Sequence, residues 1–408
     1  MSPLAPLRVI PPSALAALAL LAACEKPAPP PPAKIASASV SAAKPPLPSA
    51  SAVPLLEGKP TAPPDSLSAG FTSTCAHFPD GAAMCWGRVG SWIDEDKPVW
   101  VQGLRGSKNI SVSGSPIWAV MEDGTLTCWA DDRADRGCGW GSAVKGQPKI
   151  HGLSGVAEIA AAKGHGCARL ASGNVVCWGR NNLGQAGIGQ AGPGDVAPRD
   201  TVTTEAISVA AGEGRSCAVK KDGTVRCWGR RLGKDAVDTG KPPPTEGPHD
   251  DKPVQVAGLA GIEQIGVGEE HACARSTDGI VRCWGVNNEG QLGDGARAGR
   301  LAPAPVRGIT DAVDLAVGGA HTCALTRSGK VKCWGRNWHG ELGDGTTVSR
   351  NVPVDVKGIA ASTQIAAGGG HSCALEKSGK MRCWGANREG QLGDATRGGT
   401  GSATTVSF

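Results

Sequence analysis

The chain has 408 residues and a formal net charge of +5, spread along its length without a long Lys/Arg block, so nothing points to nucleic acid or an anionic surface as a partner. Sixty glycines, no tyrosine, three phenylalanines and twelve tryptophans argue against helices and for many short strands joined by turns. Length alone would suggest two or three ordinary domains, a prior that the internal repeats below override.

The N-terminal segment stands apart. Residues 9–24, VIPPSALAALALLAAC, form a short apolar stretch after Arg8, too short and too proline-interrupted for a membrane span. Its last four residues, Leu-Ala-Ala-Cys at 21–24, resemble the cleavage box of bacterial lipoproteins. The resemblance implies that 1–23 are a signal peptide and that Cys24 becomes the lipidated first residue. The competing reading is an ordinary secretion signal with an incidental cysteine. Residues 24–65 are rich in Pro, Ala and Ser, have too few apolar groups to build a core, and read as a disordered, semi-extended tether.

From about residue 66 the chain repeats. Cys75/Cys85, Cys167/Cys177, Cys217/Cys227, Cys273/Cys283, Cys323/Cys333 and Cys373/Cys383 are each ten apart, and each second cysteine opens a Cys-Trp-Gly. A seventh copy keeps Cys128 and has Trp118 in place of the first cysteine. The second cysteines are 43 to 56 residues apart, a period that marks a repeat architecture. Each pair brackets a glycine at one fixed place (Gly223 in Lys-Asp-Gly, for example), preceded by Asp or Ser in all seven copies. A three-residue hairpin loop with this glycine left-handed sets Val219 opposite Val225 and Cys217 opposite Cys227. That places the cysteines on a non-hydrogen-bonded pair, with Cα atoms about 4.5 Å apart, within reach of a disulfide. The next tryptophan then points to the other face, opposite a small residue in six copies: Thr74, Gly166, Ser216, Ala272, Thr322 and Ser372.

Two further strands complete a unit. One precedes the first cysteine, as in Thr-Gln-Ile-Ala-Ala at 363–367. The other holds Pro-Val, as at 353–354. The link between these two is short, which suggests a hairpin, and the longer link after Cys-Trp-Gly suggests passage to the next sheet. Four strands taken seven times predict an all-β fold, a seven-bladed β-propeller of four-stranded antiparallel blades over 66–408. On this phase the first blade lacks its Pro-Val strand, and residues 405–408 are expected to supply it and close the ring.

Gly-Gly-x-His-x-Cys-Ala-Leu, then Cys-Trp-Gly, then NNEGQLGDG (287–295) or NWHGELGDG (337–345), resemble the repeats of the regulator of chromosome condensation (RCC) family. The likeness is strongest in units three, five, six and seven, while units one, two and four lack the Gly-Gln-Leu-Gly stretch. It implies the same seven-bladed propeller. Guanine-nucleotide exchange, known for nuclear members, is not carried over, because an export signal would separate this chain from such a GTPase.

Zinc sites space their ligands two to five apart and redox pairs use Cys-x-x-Cys, so the six pairs read as structural staples of an exported chain. Cys128 and Cys138 are left over, ten apart with no such hairpin between them, and their pairing stays open. His165, His271, His321 and His371 share one repeat position. Rotational symmetry spaces such residues around a ring and does not converge them on an ion, so they read as buried imidazoles bonded to backbone. No carboxylate pair, nucleophile elbow or P-loop appears, and catalytic residues, metal, nucleotide and other cofactors are not expected. What remains is a monomeric, non-catalytic protein-binding propeller, lipid-anchored in the bacterial cell envelope and facing the periplasm or the cell surface. A secreted enzyme-inhibitor-like protein and an envelope enzyme acting on a carbohydrate or peptidoglycan-related substrate are the alternatives. Trp92, Trp140 and Trp338 fall in inter-blade loops and are the candidate partner-binding residues, because tryptophan is enriched at interface hot spots.

Overall fold

A computed structural model describes residues 62–407 apart from 91–92, 102, 115, 130–148, 151–152, 201–202 and 232–248. Cys24, Trp92, Trp140 and Cys138 lie outside the described residues. The described chain forms seven antiparallel four-stranded sheets, each built from strands consecutive in sequence. These blades span residues 66–100, 107–150, 156–200, 206–255, 262–305, 312–355 and 362–405. The first strands of neighbouring blades pack side by side, and that of the seventh packs against that of the first, so the ring closes.

Each hairpin follows the local chemistry. The turn glycines Gly81 to Gly379 have φ between 75° and 84°, a region that costs glycine nothing. Lys220 N–H donates to Thr224 O at 2.8 Å, and the register sets Val219 opposite Val225 and Cys217 opposite Cys227. Six disulfides follow: Cys75–Cys85, Cys167–Cys177, Cys217–Cys227, Cys273–Cys283, Cys323–Cys333 and Cys373–Cys383, all with Cα atoms 4.1 Å apart. The tryptophans after the second cysteines are buried between blades, and each of the six faces the small residue expected. Trp118 is core as well and meets Trp178 edge-on, with ring centroids 4.9 Å apart.

The blade boundaries differ from the expectation, and the second cysteines show it. On the expected phase the Cys-Trp-Gly strand would be the last of its blade, so the second cysteine would have no outer neighbour. Instead each has one, because the strand beyond the long loop returns to the same sheet. In register, Cys85 faces Val99, Cys177 faces Arg199, Cys227 faces Val254, Cys283 faces Ala304, Cys333 faces Val354 and Cys383 faces Thr404. Cys177 and Cys283 are therefore on interior strands, each between its disulfide partner and an outer strand. In every case the register shifts between the second cysteine and the glycine two residues on, the irregularity by which the strand leaves for the loop. The short link is the crossing to the next blade. Six extended residues span about 20 Å, enough to cross three strand spacings of about 4.8 Å. Every blade is therefore contiguous in sequence. Thr400–Thr405 is the outer strand of blade 7, and Ser66–Ala69 is the inner strand of blade 1, so no terminal strand is exchanged.

The long loops do the joining instead. Their carbonyls each accept a hydrogen bond from the tryptophan of the next blade: Trp228 to Gln185 O, Trp334 to Gln291 O, Trp384 to Glu341 O and Trp86 to Gln391 O, at 2.8–3.0 Å. Beside each, a Ser or Thr hydroxyl donates to the same carbonyl, from 2.9 Å for Thr74 to 3.5 Å for Thr322. That hydroxyl meets Nε2 of the preceding blade's histidine: His165–Ser216, His271–Thr322, His321–Ser372 and His371–Thr74, at 2.8–3.0 Å. The histidines thus bond to a neighbour's side chain and not, as expected, to backbone. Since the hydroxyl proton goes to the carbonyl, Nε2 carries the imidazole proton. The loop glycine is also required here. A Cβ at Gly393, where φ is +66°, would lie 2.7 Å from Trp86 Nε1.

Nδ1 of all four histidines is buried without a partner, so a second proton would be a buried, unbonded charge. Burial accordingly holds His165 and His371 down at about 4 and His271 at about 3.

Two outcomes follow from these junctions. Thr74→Val removes the hydroxyl at the seam between blades 7 and 1, leaving His371 N–H buried and unpaired, and should lower unfolding free energy by about 1–3 kcal/mol; an unchanged denaturant midpoint would contradict this role. The histidine pKa values are depressed in the fold, so the unfolded chain takes up protons first as pH falls below 6.5. Stability should therefore be complete above pH 6.5 and decline toward about 4. Raised Glu269 and Glu270 pull the other way, so the melting temperatures of wild type and His371→Gln should be compared between pH 7 and 5, with the smaller drop in the variant.

Candidate protein-binding face

One end of the disc carries the turns from first to second strand and, in blades 3, 5, 6 and 7, the long loops from third to fourth. The turns surround the axis and frame a cavity of about 130 Å³ lined by residues from all seven blades. The position two before the histidine position, which is Arg215 in blade 4 and Ser73 in blade 1, sets its character. It is Gly369 and Gly319 in blades 7 and 6, Glu269 and Glu213 in blades 5 and 4, Lys163 in blade 3, and Phe71 in blade 1. The two glycines make room for their neighbours. A Cβ on Gly319 would lie 2.7 Å from Glu269 Oε1, and one on Gly369 would lie 2.7 Å from the Phe71 ring. Phe71 remains about half exposed, and Lys163 Nζ stands 5.8 Å from its centroid, reaching from blade 3 toward blade 1.

Charges of both signs meet at the mouth. Burial raises the Glu269 carboxyl, with Glu213 adding and Arg336 opposing. Burial also raises Glu270, opposed by Arg230 and reinforced by Glu269. Arg230 donates through Nη2 to Glu269 O at 2.7 Å, and Arg336 donates to Gly369 O at 2.6 Å, so two guanidinium groups brace the rim from the third strands of blades 4 and 6.

Trp338 is on the same face. It is 61% exposed, the most exposed large apolar side chain among the described residues. Its support is built from below. Arg336 lies 5.7 Å from its ring, and the Arg336 Nε donates at 3.1 Å to Glu341, which is fully buried. The Glu341 second oxygen accepts from His339 N–H at 2.7 Å, and Asn337 Oδ1 accepts from Leu342 N–H at 2.9 Å. The loops of blades 5 and 7 carry Gln291 and Gln391 where this one has Glu341, and Val286 and Ala386 where it has Arg336; blade 3 has Arg180 but carries Gln185 in place of the glutamate, so among these loops the ion pair belongs to the one that carries the indole. The opposite face carries the Asp/Ser-Gly turns, and there Pro63 rests against Gly379, so the chain enters the propeller away from the mouth.

Of the residues singled out in the sequence, the twelve cysteines of the six pairs are joined as expected, but they sit inside the blades and away from the mouth. Cys167 and Cys177 are packed in one buried cluster with Trp228, and Cys273 and Cys283 in another with Trp334. Cys128 is disulfide-bonded, while its candidate partner Cys138 is outside the described residues. Of the three candidate indoles, Trp338 falls within the described residues. Phe71, Lys163 and Glu269 were missed, and their signal was variation at one fixed repeat position, which stands out only once the units are aligned by strand; Arg336, at another position just after Cys-Trp-Gly, was missed as well. No group of three or more metal-ligating side chains occurs among the described residues.

Against known proteins, the model of the RCC1-like domain matches residues 81–406. The mouse and human E3 ubiquitin-protein ligase HERC2 are each 30% identical over 221 residues, covering 52% of this chain but 3% of HERC2, so the chain spans a small fraction of these relatives. Among solved structures, Prp20p from Saccharomyces cerevisiae aligns with a TM-score of 0.64 and 19% identity over 83% of this chain and 86% of that one. Human WBSCR16 aligns at 0.65 and 19% over 78% and 88%. These likenesses carry the fold, and the domain match carries the family: the chain belongs to the RCC1-like domain family.

Proposed function

We propose that this chain is a non-catalytic protein-binding propeller, lipid-anchored through Cys24 at the bacterial cell envelope, that engages its partner through the face bearing the axial mouth. The observation that carries the reading is Trp338, an exposed indole held by a buried ion pair beside a mouth lined from every blade. An exposed tryptophan costs a soluble protein apolar surface in water, and one braced in place loses little conformational freedom on binding. The four buried histidines are committed to holding blades together, which leaves them out of acid–base chemistry. Entry of the chain at Pro63, on the opposite face, is compatible with a partner at the mouth. The similar Prp20p binds Gsp1p and histones, and a crystal structure shows Kap60 bound to it, so a propeller of this kind is a suitable platform for proteins. A secreted inhibitor would use such a face in the same way, and the identity of the captured protein separates the two.

The test is capture from envelope extract by the full chain, comparing wild type, Trp338→Ala and Lys377→Ala, whose side chain is on the opposite face. A partner retained by wild type and Lys377→Ala and lost with Trp338→Ala, with melting temperature within a degree or two, is expected; capture that survives Trp338→Ala would remove the reading. Cys24→Ser should move the protein from the membrane fraction to the soluble fraction.

A further inference from the structure

Eleven of the twelve cysteines in the six described disulfides are at most 1% exposed. Cys227 is the exception, being partly exposed. The cause lies in the loops that join the blades. In blades 5, 6 and 7, Leu292, Leu342 and Leu392 share a buried cluster with their own blade's disulfide and with the next blade's tryptophan. Ala186 does the same in blade 3, over Cys167 and Cys177. In blade 1, Val89 and Ile93 cover Cys85. Blade 4 has Arg-Arg-Leu-Gly-Lys after Cys-Trp-Gly, with no Gly-Gln-Leu-Gly. Its histidine position is Arg215, and blade 5 has Ala272 where the hydroxyl would be. Arg215 turns instead to Arg230 O, which its Nε meets at 2.7 Å. Among the described residues, a cleft of about 410 Å³ lies between blades 4 and 5, lined by Cys227, Trp284, Arg215, Arg230, Arg231 and Asp250.

We propose that Cys217–Cys227 is a site of reversible thiol–disulfide exchange with a dithiol reductant, while the other five described disulfides are structural. A thiolate of the dithiol attacks Cys227 Sγ through the cleft. The Cys217–Cys227 bond breaks, a mixed disulfide forms on Cys227, and Cys217 leaves as a thiolate that takes up a proton. The second thiol of the reductant then attacks the mixed disulfide, releasing Cys227 and closing the reductant's own disulfide, so two electrons pass to the protein. Exchange requires access to one sulfur and a stabilised leaving thiolate. The cleft supplies the first, and Arg215, two residues before Cys217 on the same strand and so on the same side of it, favours the second. Burial, with Arg230 adding, lowers Arg215 only to about 10, so it remains cationic at neutral pH.

The experiment is a time course of limited dithiothreitol treatment of the native full chain. Newly freed thiols are alkylated; the protein is then denatured, fully reduced and labelled with a second alkylating agent, and its peptides are mapped. Cys217 and Cys227 should take the first label on the order of tenfold or more sooner than any other pair, while near-ultraviolet circular dichroism stays native. In a Cys217→Ala/Cys227→Ala variant the fast phase should be absent. Equal labelling of all pairs, fast labelling of a different pair, or labelling of Cys217 and Cys227 only in step with loss of the native spectrum would overturn the proposal.

Discussion

The ring is held by one small arrangement. A loop carbonyl from one blade accepts the indole N–H and the hydroxyl of the next, and an imidazole from the first blade donates to that hydroxyl. Each group is buried, and each would be costly if left unpaired. The arrangement fixes the rotation between blades, because three chain segments from two blades must converge on one oxygen. It also explains the glycine that lets the loop lie against the indole, and the small residue opposite the tryptophan. At the seam between blades 7 and 1, Thr74, Trp86, His371 and Gln391 repeat it. Leu67 N–H donates to Gln364 Oε1 at 2.9 Å and Gly369 N–H to Gly70 O at 3.1 Å. The same contacts that join blades 3 to 4, 5 to 6 and 6 to 7 therefore close the circle.

Where the arrangement is missing, the structure substitutes locally. Blade 2 places Trp118 at a cysteine position and packs it edge-on against Trp178 of blade 3. Between blades 4 and 5, histidine, hydroxyl and loop are all changed together, which is what a cooperative unit predicts: an imidazole N–H with no hydroxyl to meet would be worse than none. In blade 4, Cys227 is partly exposed. Regularity and chemistry thus divide the ring. Blades 6 and 7 contribute bare glycines to the mouth, and blades 1, 3, 4 and 5 contribute Phe71, Lys163, Glu213 and Glu269.

The ion pair under Trp338 repeats this economy. Glu341 occupies the position of a loop glutamine and still accepts the backbone N–H that the glutamine would. Its remaining oxygen is free to hold Arg336, which reaches both the mouth and the underside of the indole. One change of an amide to a carboxylate within a structural loop couples blade packing to the shape of the exposed face.

The sequence by itself determined everything that depends on neighbours along one hairpin. Strand alternation and a left-handed turn glycine set Cys217 opposite Cys227 and Trp228 opposite Ser216, because period-two geometry leaves no other register. The same holds for Cys167 with Cys177 and Cys273 with Cys283. The count of seven units of four strands followed from the repeat. The phase of the blades did not, and neither did the outer strand that flanks Cys177 and Cys283, since link length is an ambiguous guide. A six-residue link can cross a sheet as well as turn a hairpin, and the long loop after Cys-Trp-Gly is long because it must reach the next blade and return. Only the tertiary structure decided that the histidines serve a neighbour's hydroxyl, that Phe71, Lys163 and Glu269 share one mouth, and that Trp338 is braced by Arg336 and Glu341. The first two join residues on different blades, and such contacts exist only after the ring has brought equivalent positions around one axis; the third is local, in a loop held against the next blade by the Trp384 indole, which donates to Glu341 O.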